Sequence, residues 1–436
     1  MRVLFVSQEL IAVELCMAFQ SEGHEVKLYI GERGLRYCYD GMVEKTLDWK
    51  HELEWVGKKG LVVFDDVGFG EDQDRLRKEG YRVVGGSLLG DKLETDRNYG
   101  QKVFSECGLK SIPSYNFSSP EDAISFVRSH PKMQWVVKQN GGHLSSLNYV
   151  GMLKNHEDVM GILSHYNTMG IRGVHLQKKV EGIEFGIGRY FNGTDWVGPI
   201  EMNVEHKSLM PRGIGPKTPE MGTLVWYDDN EKNKLFRETL GRMKSYLRKI
   251  NFRGDIDINC IVTKKAVWPL EATARFGTPS TVCHMEIHNS PWGEFSAAIA
   301  DGKPYDLDYK KGYAVVVTVA APPFPFTQLP QEYTSGGMAI HFHKRPGREE
   351  MKHYYFEEAL YGKKHIDGMV RQQYFVAGHK GCIGYVGGTG ATIEEAREQA
   401  YKRMDNLVVP KMFYRDDIGL EFLEKDEQQL REWGWL

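Results

Sequence analysis

The stretch from residue 255 to residue 276, DIDINCIVTKKAVWPLEATARF, alternates polar and apolar side chains on both sides of a lysine-containing turn. Successive side chains of a strand point to opposite faces, so this alternation predicts an antiparallel hairpin with one polar face. That face carries Asp255, Asp257 and Asn259 on the first strand, and Glu271, Thr273 and Arg275 on the second. The sheet that contains this hairpin should therefore carry charged side chains on one face.

The register of the hairpin decides what the charge can do. If the turn around Lys264 has an odd number of residues, Asp257 lies directly opposite Glu271. Two carboxylates at cross-strand distance repel unless a cation lies between them. Mg²⁺ needs only one or two carboxylates, with phosphate oxygens and waters as its other ligands. A solvated face on which Arg275 pairs with a carboxylate is the alternative, and the hairpin alone leaves both interpretations open.

Composition limits the possible partners. The chain has 436 residues, of which 41% are hydrophobic and 26% charged, with a net charge of −3. This length predicts about three domains, and the charge gives no reason to expect a nucleic-acid or membrane partner. The cysteines form no CxxC pair, and the N-terminus lacks the features of a signal peptide. We therefore expect a cytoplasmic protein with reduced thiols, either a monomer or a homodimer.

The order of strand and helix patterns predicts a multidomain protein that combines α/β and α+β regions. Residues 1–88 alternate buried strands with helices, which favours a doubly wound, Rossmann-like sheet. The first turn, VSQELIA, has no glycine and therefore no dinucleotide fingerprint. One polar helix is expected over 89–107, followed by antiparallel strands. A third region follows, with a strand, a glycine-rich turn and a helix opened by the capping box of Thr392 and Glu395.

Two further stretches have the chemistry of a nucleotide site. In QWVVKQNGGHLSS, Lys138 ends an apolar strand before Gly141 and Gly142, where a lysine and close backbone N–H groups can meet a phosphate. In HLQKKVEGIEFGIG, a hinge over 178–180 can offer backbone groups to an adenine edge, and Glu184 can accept from ribose hydroxyls. The alternatives are a surface lysine beside a hairpin turn and a β-turn with charged flanks.

These three stretches, in this order, resemble the ATP-grasp superfamily. VEHKSLMPRGIGPKTPEMGTL, EATARFGTPS and FYRDDIG resemble in particular three motifs of the phosphoribosylamine–glycine ligase family, also called glycinamide ribonucleotide synthetase. The resemblance implies a Rossmann-like domain over 1–88 and an ATP-grasp domain over 89–305, with lobes at about 113–185 and 186–305. A small α+β domain is expected over 306–436.

The resemblance also implies an activity. The family joins the carboxylate of an amino acid such as glycine to a small amine, with ATP and Mg²⁺ (or Mn²⁺), through an acyl phosphate in purine biosynthesis. The implied metal ligands are Asp257, Glu271, Thr273 and Asn259. The implied ATP contacts are Arg97, Lys138, Gly141, Gly142, Gln177, Lys178, Lys179, Val180 and Glu184. The implied substrate contacts are His206, Lys207, Lys217, Thr218 and Arg275, of which Arg275, with Lys138, is expected to act in catalysis.

Several positions depart from the family pattern. SQELIAVEL stands where the family has a GGREHA-type loop associated with the phosphoribosyl substrate. Thr273 replaces an asparagine metal ligand, a loss that Asp257 can offset, and Thr278 and Ser280 replace acidic residues. Three hypotheses therefore stay open: a ligase with an altered acceptor, an authentic phosphoribosylamine–glycine ligase, and a non-catalytic nucleotide-binding scaffold. Structural alternatives also stay open for Arg97 as a solvated helix cation, and for Arg275 as a partner of Asp255 or Asp257.

Overall fold

The computed structural model describes residues 1–138, 148–326, 329–366 and 368–436, without the side chains of residues 331 and 366. It confirms a mixed α/β multidomain architecture with a parallel N-terminal sheet and antiparallel sheets after it. No helix among these residues is both long and apolar enough to cross a lipid bilayer.

The N-terminal sheet is parallel, with the order β3-β2-β1-β4-β5. Its strands are β1 (Arg2–Ser7), β2 (Glu25–Ile30), β3 (Glu44–Thr46), β4 (Leu61–Phe64) and β5 (Val83–Val84), and its helices are α1 (Leu15–Ser21), α2 (Leu53–Val56) and α3 (Gly70–Lys78). Burial on both faces explains the continuous apolar runs of β1 and β4, which the sequence predicts as parallel strands.

The predicted helix over 89–107 is wrong as one element. Two helices replace it, α4 (Leu88–Thr95) and α5 (Arg97–Glu106), because Asp96 between them is extended. The Asp96 side chain accepts from the backbone N–H of Tyr99 at 3.1 Å, so it caps α5. Arg97 thereby becomes the first residue of α5.

A four-stranded antiparallel sheet follows, with the order β6-β9-β7-β8. Its elements are β6 (Ser114–Phe117), α6 (Pro120–Ser129), β7 (Trp135–Lys138), β8 (Tyr149–Val150), α7 (Glu157–Thr168) and β9 (Val174–Lys178). The aromatic side chains of Tyr115, Phe126 and Trp135 pack together under it. The chain then leaves β9 through the predicted hinge and enters another sheet.

That second antiparallel sheet has eight strands in the order β14-β13-β10-β11-β12-β15-β20-β17. The strands are β10 (Ile183–Asn192), β11 (Trp196–Glu205), β12 (Gly222–Asp228), β13 (Arg253–Val262), β14 (Val267–Thr273), β15 (Tyr313–Ala320), β17 (Tyr354–Phe356) and β20 (Cys382–Gly390). The helices α8 (Lys234–Glu238), α9 (Lys244–Lys249), α10 (Ser280–Ile287) and α11 (Trp292–Asp301) connect its first half. Because β15, β17 and β20 follow residue 305, the sheet is continuous across the predicted domain boundary there.

The remaining elements lie in the C-terminal region. They are β16 (His341–Phe342) paired with β21 (Leu407–Val408), the hairpin β18 (Ala359–Ile366) and β19 (Met369–Val376), and the helices α12 (Arg348–Met351), α13 (Ile393–Asn406) and α14 (Glu427–Glu432). The capping box of α13 is confirmed. The glycines expected in a turn lie instead in β20, where a side chain at Gly388 would come within 2.4 Å of the α13 backbone. Glycine there allows the helix to pack closely on the strand.

Candidate functional site

Polar side chains from three strands of the eight-stranded sheet share one face. The residues are Glu201, Asn203 and Glu205 on β11, Asp255, Asp257 and Asn259 on β13, and Glu271 and Thr273 on β14. Between β11 and β13 lies β10, which carries glycine at 186 and 188 on this face. The face that the sequence predicts to be polar is polar in the structure, and most of its side chains are buried.

The two glycines of β10 leave space for contacts between its neighbours. A Cβ at Gly186 would lie 1.9 Å from Oδ1 of Asn203. Over this gap, the amide of Asn203 donates to Oδ2 of Asp257 at 2.9 Å, and the amide of Asn259 donates to Oε2 of Glu205 at 3.0 Å. The missing side chains thus allow β11 and β13 to share one polar network.

The register in which Asp257 lies directly opposite Glu271, which requires an odd number of turn residues, does not form. Asn259 lies opposite Glu271 and Asp257 lies opposite Thr273, with an irregularity after Asn259. The turn between β13 and β14, residues 263–266, has an even number of residues. The irregularity shifts the pairing beyond it, so that the polar side chains of both strands still lie on the same face of the sheet. Asp257 and Glu271 are therefore diagonal neighbours rather than a directly opposed pair.

The donor atoms on this face fit a hard divalent cation. Oδ1 of Asp257 and Oδ1 of Asn259 are buried and have no hydrogen-bond partner in the described part of the chain. Burial, with the charges of Glu201 and Glu205, raises the pKa of Asp257 well above its usual range. Buried oxygens without hydrogen bonds, beside further carboxylates, match the all-oxygen ligand set that Mg²⁺ prefers.

Lys207 links two of the carboxylates at the edge of this face. Its Nζ lies 2.7 Å from Oε2 of Glu205 and 3.4 Å from Oε1 of Glu271. The ammonium group of Lys207 lowers the pKa of Glu271 to about 2, although burial opposes the shift. Thr218 holds Lys207 in place, because its backbone N–H and its hydroxyl both donate to the Lys207 carbonyl, at 2.7 and 3.0 Å.

Two further cations face the same carboxylates. Lys138 is the last residue of β7, and Arg97 opens α5. Burial and the Arg97 guanidinium lower the pKa of Lys138 to about 8, against the opposing effect of Glu271 and Glu184. The structure thus brings the predicted phosphate-binding cations to the predicted metal ligands, although the two groups lie far apart in sequence.

The predicted adenine hinge connects the two antiparallel sheets. Gln177 is buried, and Lys178 is exposed where β9 ends. Lys179 donates through Nζ to the carbonyl of Gly151 at 2.8 Å, Val180 is half-buried, and Glu184 is exposed on β10. Gly141 and Gly142 lie outside the described residues, as do the residues that follow them up to Leu147.

Arg275 has a partner that the sequence does not reveal. Its Nε lies 3.3 Å from Oε1 of Glu94, whose Oε2 accepts from the backbone N–H of Ala274 at 2.7 Å. Burial lowers the pKa of Arg275, but the charges of Glu94 and Asp66 outweigh this effect, so its pKa is raised. Asp255 and Asp257, the partners in the structural alternative considered for Arg275, do not form ion pairs with it.

His206, a predicted substrate contact, is buried and bonded to two backbone groups. Its Nε2 accepts from the backbone N–H of Gly419 at 3.0 Å, and its Nδ1 lies 3.2 Å from the carbonyl oxygen of Gly222. Burial and the charge of Arg415 lower the pKa of His206 to about 4, so the ring is neutral and joins β11 to the C-terminal region. Lys217 is exposed and bridges to Ser208 through the backbone.

Buried carboxylates surround the first strand-to-helix turn, between β1 and α1. Oε1 of Glu14 and Oδ1 of Asp65 are buried without a partner in the described part of the chain. From the C-terminal region, Glu357 accepts from the hydroxyl of Tyr385, and Glu358 accepts from the backbone N–H of Gly381 at 2.9 Å. Burial raises the pKa of Asp65 to about 7, of Glu357 to about 8 and of Glu358 to about 7.

Sequence reasoning missed part of this site. Glu201, Asn203 and Glu205 alternate with Met202 and Val204 in PIEMNVE, a period-two pattern that marks a polar strand face as clearly as the hairpin does. Glu94 lies in ETDR, three residues before Arg97, but nothing local indicates its contact with Arg275. That contact depends on how α4 packs beside β14.

Comparisons with known proteins find relatives in sequence and in fold. Residues 95–281 match the family model of the phosphoribosylglycinamide synthetase ATP-grasp (A) domain. The phosphoribosylamine–glycine ligase of Helicobacter pylori strain 26695 is 22% identical over 402 residues, or 89% of this chain and 87% of that protein. The enzyme of the same name from Clostridium acetobutylicum is 22% identical over 362 residues, or 79% and 80%. The crystal structure of phosphoribosylamine–glycine ligase from Thermotoga maritima has a TM-score of 0.68 at 19% identity, covering 96% of this chain and all of that one.

Proposed function

Because the chain is an ATP-grasp protein similar to phosphoribosylamine–glycine ligase, we propose that it is an ADP-forming ligase that joins a carboxylate to an amine. A carboxylate oxygen attacks the γ-phosphorus of ATP, the bond to the β-phosphate oxygen breaks, and ADP leaves. The amine nitrogen then attacks the acyl carbon of the resulting acyl phosphate. Inorganic phosphate leaves with the bonding electron pair, and the amine loses a proton.

One observation carries this proposal: the cations Lys138, Arg97 and Lys207 interact electrostatically with Glu271, on the sheet face that carries Asp257. Asp257 and Glu271, with Asn259 and Thr273, would hold Mg²⁺ or Mn²⁺, which when bound neutralises phosphate charge. The three cations would bind the phosphates and stabilise the charge that develops during phosphoryl transfer. The chain's own part is to position the reacting groups.

The other predicted contacts complete the binding of the nucleotide and the acid. The hinge over 178–180 would present backbone groups to adenine, with Gln177 beside it, and Glu184 would accept from the ribose. Arg275 would bind the acid or its acyl phosphate with its fork of donors. In the structure, Glu94 holds Arg275 in place and leaves its Nη2 without a protein partner in the described part of the chain.

We propose that the acceptor is an altered amine rather than phosphoribosylamine. The two departing segments touch each other, because the hydroxyl of Thr278 donates to the carbonyl of Ile11. Beside them lie the buried acids Glu14, Asp65 and Glu357, whose oxygens suit an amine or a hydroxyl-rich acceptor. An authentic phosphoribosylamine–glycine ligase of purine biosynthesis is the second candidate, favoured by the relatives that match over most of their length.

Two assays together test the proposal. ADP and phosphate release is measured for the purified chain with ATP, Mg²⁺ and pairwise mixtures of amino acids and amines, including glycine with phosphoribosylamine. Release that needs both an acid and an amine supports the ligase, and rescue of a purine auxotroph lacking its own ligase would contradict the altered acceptor. ATP binding with no release in any mixture would favour the third reading, a non-catalytic scaffold.

A further inference from the structure

A second group of ligand atoms lies deeper on the polar sheet face, apart from the residues assigned to the ATP metal. Glu201 on β11, Asp255 on β13 and His284 on α10 each offer one atom, and these atoms lie within 4.8 Å of one another. The three residues are 2%, 3% and 0% exposed. They come from three elements, so their convergence is a product of the fold.

Each of the three side chains is held through one atom and leaves its other atom available. Asn203 donates to Oε1 of Glu201 at 2.9 Å, which leaves Oε2. The hydroxyl of Tyr190 lies 2.9 Å from Nδ1 of His284, which leaves Nε2. The backbone N–H of Gly277 approaches Oδ2 of Asp255 at 3.5 Å, which leaves Oδ1.

Two of the available atoms lack hydrogen bonds although they are buried. Oδ1 of Asp255 and Nε2 of His284 have no hydrogen-bond partner in the described part of the chain. Nε2 lies 3.0 Å from Oε2 of Glu201, so these two atoms face each other and pair when His284 is protonated. Metal-binding histidines and carboxylates typically show this pattern, in which outer partners orient each ligand from behind.

The net negative charge of this group also favours a bound cation. Two carboxylates, with Asp257 nearby, are withdrawn from water, and in the described part of the chain no lysine or arginine forms an ion pair with any of them. Among the described residues, His284 is the only basic group that pairs with them, and one imidazolium would leave negative charge uncompensated. A buried, unpaired carboxylate is strongly unfavourable, whereas a bound cation would offset the charge.

We propose that Glu201, Asp255 and His284 form a second divalent-metal site, distinct from the site of the ATP metal. One imidazole nitrogen with two carboxylate oxygens suits Zn²⁺, Mn²⁺ or Fe²⁺ better than Mg²⁺ or Ca²⁺, which prefer oxygen alone. Three protein ligands leave at least one coordination position for water or substrate. The site goes beyond the proposed ligase activity, since it needs neither ATP nor an acceptor.

The position of the proposed metal site relates it to the expected substrates. Asp255 and Asp257 are two residues apart on β13 and on the same face, so the two metal sites lie roughly 6–7 Å apart along the strand. On the next strand of the hairpin, Arg275 is two residues beyond Thr273. A metal here would therefore lie on the side of the ATP metal where the substrates are expected.

Metal content of the full-length chain tests the inference directly. The protein is dialysed against a chelator, titrated with Zn²⁺ or Mn²⁺ without ATP, and assayed by elemental analysis and by anomalous diffraction above each metal edge. We expect about one equivalent of metal per chain and an anomalous peak among the three side chains. The variants His284→Gln and Asp255→Asn should lower the affinity by about 100-fold.

Two control variants separate this site from others. His353→Gln alters another histidine–carboxylate pair, in which half-buried His353 and the hydroxyl of Tyr355 both contact buried Glu286, and it should keep the metal. Glu271→Gln alters the ATP metal site and should also keep it. Absence of a bound metal in the wild type, a peak at another position, or unchanged binding in a folded His284→Gln variant would overturn the proposal. The anomalous peak decides the matter even if the variants fail to fold.

Discussion

The side-chain amide of Asn203 reaches Oδ2 of Asp257 at 2.9 Å across the strand that separates them. The contact is possible because Gly186 and Gly188 leave the polar face of β10 bare, and a Cβ at Gly188 would lie 2.5 Å from Oε2 of Glu201. The polar network thus depends on two missing side chains as much as on the charged ones. The predictions below follow from this arrangement and from the groups around it.

Replacing Gly186 with alanine should displace Asn203. The added Cβ would lie 1.9 Å from Oδ1 of Asn203, too close for any real contact. We expect a loss of about 1–3 kcal/mol in the free energy of unfolding, measured with urea. Removal of the Asn203 side chain in the same chain should restore part of the loss.

The matched control is Gly161→Ala in the middle of α7, where an added Cβ meets nothing within 4 Å. Alanine favours a helix over glycine, so this variant should gain up to about 1 kcal/mol. An unchanged unfolding midpoint for Gly186→Ala would show that β10 can move away from its neighbours.

Glu94→Ala should destabilise the protein through Arg275. Glu94 pairs with Nε of Arg275 and accepts from the backbone N–H of Ala274. Its removal would leave Nε of a poorly hydrated guanidinium and a backbone donor without partners, at a cost of about 2–4 kcal/mol. Glu106→Ala, which removes only an exposed pair with Lys102, should stay within about 0.5 kcal/mol of the wild type. Equal effects of the two variants in urea unfolding would refute the structural role of Glu94.

ATP affinity should fall as pH rises above 8. Burial and Arg97 lower the pKa of Lys138 to about 8, so the free protein loses this charge in the assay range. Because the phosphates bind the charged form, the Kd for ATP should rise by up to about tenfold per pH unit above 8. Lys138→Arg keeps its charge at every pH used and should flatten the profile. A wild-type Kd that stays constant from pH 7 to pH 9 would exclude Lys138 from phosphate binding.

Stability should decrease between about pH 4.5 and pH 8 because of the buried acids near the first turn. Burial raises the pKa of Glu357 to about 8, so the folded state keeps a proton that the unfolded chain has already released. In this window the unfolded state binds fewer protons, and the free energy of unfolding falls as pH rises. Glu357→Gln should reduce the slope of melting temperature against pH, whereas Glu398→Gln, at an exposed position, should not. Identical slopes for all three proteins would contradict a protonated Glu357.

The sequence predicts the fold and the polar hairpin because both depend on local periodicity. The alternation of Asp255, Asp257 and Asn259 fixes their common face, and Thr392 with Glu395 fixes the start of α13. The hairpin register could not be predicted, because one irregularity after Asn259 shifts every later pair and has no distinct sequence signature.

Contacts between distant segments account for the other differences. Arg275 meets Glu94 rather than an aspartate of the neighbouring strand, because α4 packs beside β14. His206 turns to the backbone of Gly419, 213 residues away, so its position after a polar strand gives no indication of this role. His284 is a lone histidine in an apolar helix, and only the fold brings it to Glu201.

The most direct test concerns Asp257 and Glu271 as holders of the ATP metal. The measurement is the additional Mn²⁺ bound, by electron paramagnetic resonance, when a non-hydrolysable ATP analogue is added to the protein. For Asp257→Asn and Glu271→Gln we expect this metal–nucleotide affinity to fall by about tenfold or more, while Glu181→Gln, an exposed glutamate near the hinge, leaves it unchanged. Wild-type affinity in both folded site variants would contradict the account.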